Sequence, residues 1–566
     1  MVFIAITPDS SLKNETILIG ANCVTGKNTH QVIDKKLHII NPYKSHEDIL
    51  KASEYCWNVA LGYCQHLGKL LNKIHDVSYS PSYWKTLLLP WATYVIGIVY
   101  DRYLRLCYVR NNYPNPVIEI PQINLSDPLY KHGFDAYNLI SYNISLYSLL
   151  IEIMGLSANV IYLDIDSNSA NSVNEVRKTN ILTFLRISIK DLTKTLHIYK
   201  NLIKALCIYQ NMDFSQSVSL SPKDGDFLKQ ALNRGELIFE STNDEFKNIL
   251  HNITKWILPI SYFEEYRERN NIANELLMKK KIEAVHIYNS FWTNDTFKFM
   301  ISQVRENGGV IIGRQHGGGY GHHIVSPSER VEREISDFFI TWGWTDKRLS
   351  PAIPLPDPRL SKFLNVHQEK NKNILFIGSH GQMYMFDYQS YFMPEFVHQQ
   401  YYLLKKRFFK KLKEPIQKSI LYRPYLYEYG WEERSRIKEI LPDVCFDEST
   451  EAVENMKTCS LVVIDHPSTS FLEALVINVP TILFWDNEQA PMREEAKLYF
   501  QLLTDVGILH YNPESAAQKV NKIWDDIHGW WQQPEVQKAK DEFCWQFART
   551  SKNRHKAWRV FLRTLK

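Results

Sequence analysis

The sequence predicts an α/β protein of two doubly wound, Rossmann-like domains facing a cleft, the first carrying a large helical insertion. Three observations predict it. Short apolar runs alternate with amphipathic helical patterns in two separate stretches, 281–315 and 373–485, the rhythm of βαβ units in parallel sheets. A proline-rich segment, 350–370, separates those stretches. The chain of 566 residues, 45% hydrophobic and 23% charged, is long and apolar enough for two large cores.

Taken in order, VFIAI and ETILIGA read as strands. A helical region follows from His46 to Tyr108, with apolar residues at three- and four-residue intervals. NNYPNPVIEIPQINLSDPL reads as an extended loop, and further helices fill 131–280. KIEAVHIYN, TNDTFKFMISQVRENG and GVIIGRQ then form strand, helix and strand. Pro351, Pro354, Pro356 and Pro358 lack amide donors, so 350–370 reads as a linker rather than a core element. Beyond it NILFIG, KSILYRP, CFDES, LVVID and PTILFW read as strands separated by helices, and amphipathic helices close the chain. The expected boundaries are 1–349, 350–370, 371–530 and 531–566.

Composition excludes several function classes. Lys and Arg total 66 against 62 acids, a net +4, too balanced for a dedicated nucleic-acid binder. None of the eight cysteines forms a Cys-x-x-Cys pair, which removes zinc-ribbon and thioredoxin readings and suits reduced thiols in a cytoplasmic compartment. MVFIAITPDS lacks the basic start and apolar core of a secretory signal. The longest uncharged run, Thr86 to Tyr100, falls short of the roughly 20 residues a spanning helix needs and contains Pro90, so it reads as a buried helix. The basic, aromatic stretch 401–413 leaves two readings open: a solvated surface helix, or peripheral contact with the inner membrane.

Three segments carry chemistry. In LVVIDHPSTSFLEALVINVPTILFWD (461–486) a strand ends at Asp465, and Ser468, Thr469 and Ser470 open a helix. Hydroxyls and free amides at a positive helix end suit a phosphate or diphosphate; an ordinary N-cap is the alternative. Glu473, one turn on, is placed to accept from ribose hydroxyls. In GVIIGRQHGGGYGHH (309–323) a strand leads into Gln315, His316, Gly317 and Gly318, a loop able to wrap a ligand, with His316 as general base or phosphate contact. A tight turn with a packed histidine is the bland reading. The spacing is neither Gly-x-Gly-x-x-Gly nor a P-loop. In LYRPYLYEYGW (421–431) Arg423 follows a strand, where a guanidinium can neutralise a departing phosphate or simply sit on the surface. Asp164 with Asp166, and His322 with His323, are weak metal pairs, and no metal is expected.

The strand, hydroxyl-rich turn, Glu-Ala-Leu and Pro-Thr-Ile series resembles the donor half of GT-B glycosyltransferases, and His466-Pro467 is similar to the His-Pro element of GT-B enzymes using CMP-activated acidic sugars. Over nearly its whole length the chain resembles a transferase family encoded in bacterial O-antigen and other surface-polysaccharide loci. The matching blocks are ILIGANC, LNKIHDVSYSPSYWKTLLLPW, VYDRYLRL, RQHGGGYG, ISDFFITWGWTD, YRPYLYEYGW, SFLEALVINVPTILFWD, LYFQLLTDVGILHYNPESAA and IWDDIHGWWQQPEVQ. Asp465-His466 stands where that family usually has Tyr-Asn, and Met383-Tyr384 where it has Arg-Tyr. The resemblance implies a cytoplasmic, metal-independent glycosyltransferase with a nucleotide sugar as co-substrate and a glycan or lipid-linked glycan of lipopolysaccharide or capsule as acceptor. Arg423, His466, Ser468, Thr469, Ser470 and Glu473 would bind the donor in 371–530. Residues 1–349 would present the acceptor and His316. A nucleotide-sugar epimerase and a non-catalytic assembly scaffold are the alternatives.

Overall fold

The computed structural model describes residues 2–6, 16–23, 38–121, 128–135, 140–163, 232–280, 284–288, 290–346, 350–389, 394, 400–427, 429–488 and 490–564. Their strands form three all-parallel sheets. β1 (Phe3–Ala5), β2 (Thr16–Leu18), β3 (Val117–Pro121) and β4 (Asn159–Leu163) lie in the order β2-β1-β3-β4. β5 (Ala284–Ile287), β6 (Val310–Arg314), β7 (Phe338–Thr341) and β8 (Ala352–Pro354) follow one another in sequence. The third sheet holds β9 (Asn371–Ile377), β10 (Ile420–Arg423), β11 (Cys445–Phe446), β12 (Cys459–Ile464), β13 (Thr481–Phe484) and β14 (Leu509–His510), ordered β11-β10-β9-β12-β13-β14. β12 is buried at every position because helices cover both faces of a parallel sheet.

The α/β class and the doubly wound C-terminal domain match the sequence reading. The N-terminal half divides its strands between two sheets, and one core joins them through two long helices, His46–His75 and Pro81–Asn112. The helical region read over 46–108 is two helices: the first ends at Asp76, at φ 53, whose amide donates to the Asn72 and Lys73 carbonyls, and Ser80 and Pro81 then start the second. The second helix continues through Pro90. Its neighbours Leu87, Leu88, Leu89 and Trp91 are all buried, which outweighs an interior proline costing about 3 kcal/mol.

Some expectations change. NNYPNPVIEIPQINLSDPL, read as an extended loop, holds the strand β3 between β1 and β4. The stretch 350–370 is not only a linker: Ala352–Pro354 is β8, at the edge of its sheet, where a proline lacking an amide is tolerated. The helix Arg554–Arg563 returns to the N-terminal half, packing Trp558, Phe561 and Leu562 on Ile312, Ile340 and Leu355. The aromatic residues of 401–413 serve the core. Tyr401, Tyr402, Phe408 and Phe409 are buried, and Leu403 is exposed. Among the described residues no helix is long and apolar enough to cross a membrane.

One buried ionic knot fastens the C-terminal domain to the N-terminal core. Asp101 accepts from Arg102 Nη1 at 3.0 Å, Arg105 Nε at 2.9 Å and the Tyr43 hydroxyl at 2.9 Å. Arg105 also reaches the carbonyls of Ile19 and Ile40, while Arg102 donates to the Met385 carbonyl. The Tyr43 and Tyr388 hydroxyls meet at 2.8 Å, so the chain after β9 is sewn into the opposite domain. Breaking a buried pair costs about 3–5 kcal/mol because its partner charge stays behind. Asp101→Ala, which strands two guanidinium groups, is expected to lower unfolding free energy by about that amount in a denaturant titration.

Candidate functional site

The strand order of the third sheet reverses between β9 and β12, since connections from β9 run one way to β10 and β11 while β12, β13 and β14 extend the other. Open parallel sheets bind ligands outside the carboxyl ends of strands at such a reversal. A cavity of about 340 Å³ lies there, lined by Ser379, His380, Asp387, Tyr425, Tyr429 and the run Ser468–Ser470 among others. Its volume falls within the roughly 300–1,000 Å³ usual for small-molecule sites.

One wall is the start of the helix Thr469–Ile477. Ser468 is its N-cap residue, with extended backbone at φ −111, but its side chain makes no capping hydrogen bond. The first amides and the positive end of the helix dipole therefore meet the cavity without a side-chain acceptor. Thr469 is engaged differently: its Oγ1 accepts from the Gly318 amide at 2.8 Å. A Cβ on Gly318 would lie 2.6 Å from the Ser468 carbonyl carbon and the Thr469 nitrogen, so only glycine admits this approach. The hydroxyl-rich turn and the Gly-rich loop, both singled out in the sequence, are thus in contact.

The other loop residues brace this contact. Gln315 is buried; its Oε1 accepts from the Trp342 amide and Trp344 Nε1, and its Nε2 donates to the Gly317 carbonyl. His316 keeps Nε2 within 2.8 Å of Glu332 Oε1 and 2.7 Å of the Tyr320 hydroxyl, and it stands outside the cavity lining. His322 and His323 are fully enclosed. Burial pushes both imidazoles down, His323 to about 3, and His323 Nε2 sits 3.1 Å from the Pro467 carbonyl. Nearby, Arg314 ends β6 at 5% exposure. Its guanidinium lies 4.3 Å from the Tyr288 ring centroid and has no hydrogen bond or ion pair among the described residues.

Glu473 is buried and ion-paired to Arg359. Arg423 turns away from the cavity to Asp447 Oδ2 at 2.7 Å and to the Ser449 carbonyl and hydroxyl, bracing the turn after β11. His466 is buried, with Nδ1 3.1 Å from Asp465 Oδ1, and is not among the cavity's lining residues. Among the described residues no cluster of three or more His, Cys, Asp or Glu side chains is placed to hold a metal; Asp164 and Asp166 lie outside them.

Behind the lining residues Ser379 and His380 lies a polar network that no local sequence pattern announces. Lys405, fully buried, contacts Asp465 Oδ2 at 2.7 Å and donates to the Tyr422 hydroxyl at 2.8 Å. Tyr401 donates to Asp465 Oδ1 and receives the Ser379 amide; Tyr422 donates to Glu433. Burial opposes ionisation of Glu433, yet His380 at 3.4 Å, the charge of Lys405 and the Tyr422 hydrogen bond together hold it down to about 2. Gly378 fits because a Cβ there would strike the Tyr422 hydroxyl, Glu433 and Lys405. Asp387, also unforeseen, is a 6%-exposed carboxyl on the cavity wall. Burial pushes it up to about 8, against hydrogen bonds from Gln389.

A family model described as LIC12162 family transferase matches residues 2–562. The chain belongs to that family. As a LIC12162 family transferase it is an enzyme of group transfer, and the cavity at the strand reversal is where its fold offers a site. No curated protein sequence matches the chain. Among solved structures it is similar to a protein described as a UDP-N-acetylglucosamine 2-epimerase from Listeria monocytogenes, at 11% identity over 49% of this chain and 76% of that one, TM-score 0.32. Acinetobacter baumannii MurG matches at 11% identity over 48% and 72%, TM-score 0.29. The spinosyn forosaminyltransferase SpnP matches at 12% over 53% and 80%, TM-score 0.30. These likenesses carry no argument; the fold stands on its own strand order.

Gly318→Ala is expected to cost about 1–3 kcal/mol by forcing the loop off the helix start, read as a lowered thermal midpoint. For Glu433 the folded-state value lies below the ordinary 4.5, so its contribution is present above pH 4.5 and lost as pH falls toward about 2. Unfolding free energy measured between pH 5 and 2, on the order of those limits, should fall less steeply in Glu433→Gln than in wild type.

Proposed function

We propose that this transferase is a glycosyltransferase, moving a sugar from a nucleotide-sugar donor to a cell-surface polysaccharide acceptor of the lipopolysaccharide O-antigen or capsule type, at the cytoplasmic face of the cell. The observation that carries the reading is the cavity at the β9–β12 reversal, walled by a helix start whose N-cap serine leaves the end of the dipole open. A donor diphosphate placed at Ser468 and Ser470 meets backbone amides and that dipole, with no metal required to hold it. Tyr425 and Tyr429 offer aromatic faces for a base or sugar ring. Glu473 serves the donor from one turn deeper and must exchange its bond with Arg359 to reach a ribose. Arg423 and His466 act on the donor through the turns they brace. Gln315, Gly317 and Gly318 shape the side facing the acceptor.

A thermal-shift series with UDP, GDP, CMP and dTDP sugars tests the reading, because a ligand bound only by the folded state raises its melting temperature. One nucleotide class is expected to do so. Ser468→Asp should separate stability from binding: the carboxylate caps the helix and stabilises the free protein by about 0.5–1 kcal/mol, yet occupies the place of the diphosphate and abolishes the ligand shift. No shift with any donor, or an unchanged shift in the variant, refutes the assignment.

A further inference from the structure

Resting on the glycosyl-transfer reading, we infer that Asp387 is the group that receives the acceptor's proton, so that transfer proceeds by a single displacement with inversion at the anomeric carbon. Asp387 and Ser468–Ser470 line the same cavity of about 340 Å³. Asp387 also lines a second, small cavity of about 30 Å³, whose other lining residues include Ser53, Cys56, Trp57 and Thr93 of the N-terminal domain. The carboxyl therefore stands where the donor space meets the domain expected to present the acceptor. Its backbone is held from both directions, by Arg102 on the Met385 carbonyl and by the Tyr43–Tyr388 hydroxyl contact.

Other buried carboxylates of this protein have cations or several donors against them: Asp101 has Arg102 and Arg105, Asp465 has Lys405. Asp387 has the Gln389 side-chain amide at 2.9 Å and the Gln389 backbone amide, and no ion pair among the described residues. Among the described residues the titratable groups around it are His380, Tyr384, Tyr425 and Tyr429 in the large cavity, Cys56, Arg330 and Tyr388 in the small one, and Tyr94 behind. Of these, Arg330 is committed to Glu54 and His380 faces Glu433. A carboxylate in such surroundings is more basic than one in water. His316, by contrast, has its Nε2 occupied by Glu332 and Tyr320 and does not line the cavity.

The step balances without a further reactant. The acceptor oxygen forms its bond to the anomeric carbon, and its proton passes to Asp387. The bond from that carbon to the phosphate oxygen breaks, and its electron pair leaves with the nucleotide's phosphate group toward the start of the helix Thr469–Ile477. Water in the acceptor's place gives slow donor hydrolysis by the same route, which supplies an assay before the natural acceptor is known.

The experiment measures release of nucleotide from UDP, GDP, CMP and dTDP sugars alongside thermal shift with the same compounds. Asp387→Asn should keep the thermal shift and lose release by roughly 10²–10⁴-fold, the usual worth of a general base. Wild-type release should rise with pH and level off above about 8, and NMR should show the freed sugar with inverted configuration. Should the variant not fold, the wild-type pH profile and anomeric outcome decide. Release at the wild-type rate in Asp387→Asn, a retained configuration, or an equal loss in His316→Ala with binding intact overturns the inference. So does a wild type that binds nucleotide yet releases none. A wild type that binds no nucleotide refutes the donor reading itself.

Discussion

A parallel sheet whose connections run in opposite directions from two neighbouring strands cannot be sealed at its carboxyl edge by its own backbone. In this chain that constraint falls between β9 and β12. The residues leaving β9, Gly378 to His380, and those leaving β12, Asp465 to Ser468, diverge and leave the cavity between them. The buried network of Lys405, Tyr401, Tyr422, Glu433 and Asp465 backs the lining residues Ser379 and His380, because polar strand ends close to one another need partners once water is excluded. The cavity, the network behind it and the open helix end all follow from one strand order.

The two domains interlock around this edge rather than merely facing each other. Gly318 seats against Ser468 and Thr469, and Gly343, at φ 135, leaves no room for a Cβ beside the Trp545 and Gln546 carbonyls. Arg493 reaches from the C-terminal domain to Glu329 at 2.9 Å and to the His323 carbonyl at 2.7 Å. The chain after β9 contributes Met385 and Tyr388 to the N-terminal core. These contacts close one flank of the helix Thr469–Ile477, while Ser379, His380 and Asp387 line the cavity with that helix's first residues. The cavity edge is thereby shaped by packing between the two domains as well as by the C-terminal sheet.

The sequence was informative where the candidate site is built from consecutive residues. Ser468-Thr469-Ser470 after a β-branched run, and Gln315-His316-Gly317-Gly318 after another, are local patterns with a local physical meaning, and the structure joins them at 2.8 Å. The alternation of apolar runs and amphipathic helices likewise fixes strand and helix identity. What periodicity cannot reveal is partnership. Glu473 reads as a free acid until Arg359, more than a hundred residues away in sequence, is seen beside it. Arg423 reads as a cleft cation until Asp447 and Ser449 claim it. Lys405 sits in a basic stretch that reads as solvated surface, yet it is buried beneath the site. Asp387 lies in a segment with no catalytic pattern at all, and its significance comes from a cavity assembled by other strands. The proline-rich stretch misleads for a related reason: proline forbids a central strand, but β8 is an edge strand.

Charge matching sharpens the distinction between scaffold and site. An ion buried in a protein interior is costly unless a partner offsets the lost hydration. This chain meets the rule at Asp101, Asp465, Glu433, Glu329 and Glu473, each with a cation or hydrogen-bond donors in contact. Among the described residues three places depart from it: the start of the helix Thr469–Ile477 has no capping bond from its N-cap side chain, Arg314 meets the face of Tyr288 without an ion pair, and Asp387 is bonded by Gln389 without one. Two of the three line one cavity, one positive in character and one a carboxyl, and Arg314 ends the strand that leads into the Gly-rich loop touching that cavity's wall. Under the proposed reaction those departures have a common purpose: negative charge grows on the departing group as a proton leaves the incoming one, and a pair of walls left unmatched in the free protein becomes matched as the reaction proceeds. A scaffold without chemistry would gain stability by closing both mismatches with ordinary caps and cations. That both persist in the lining of one small space argues for the proposed transfer there over a structural role.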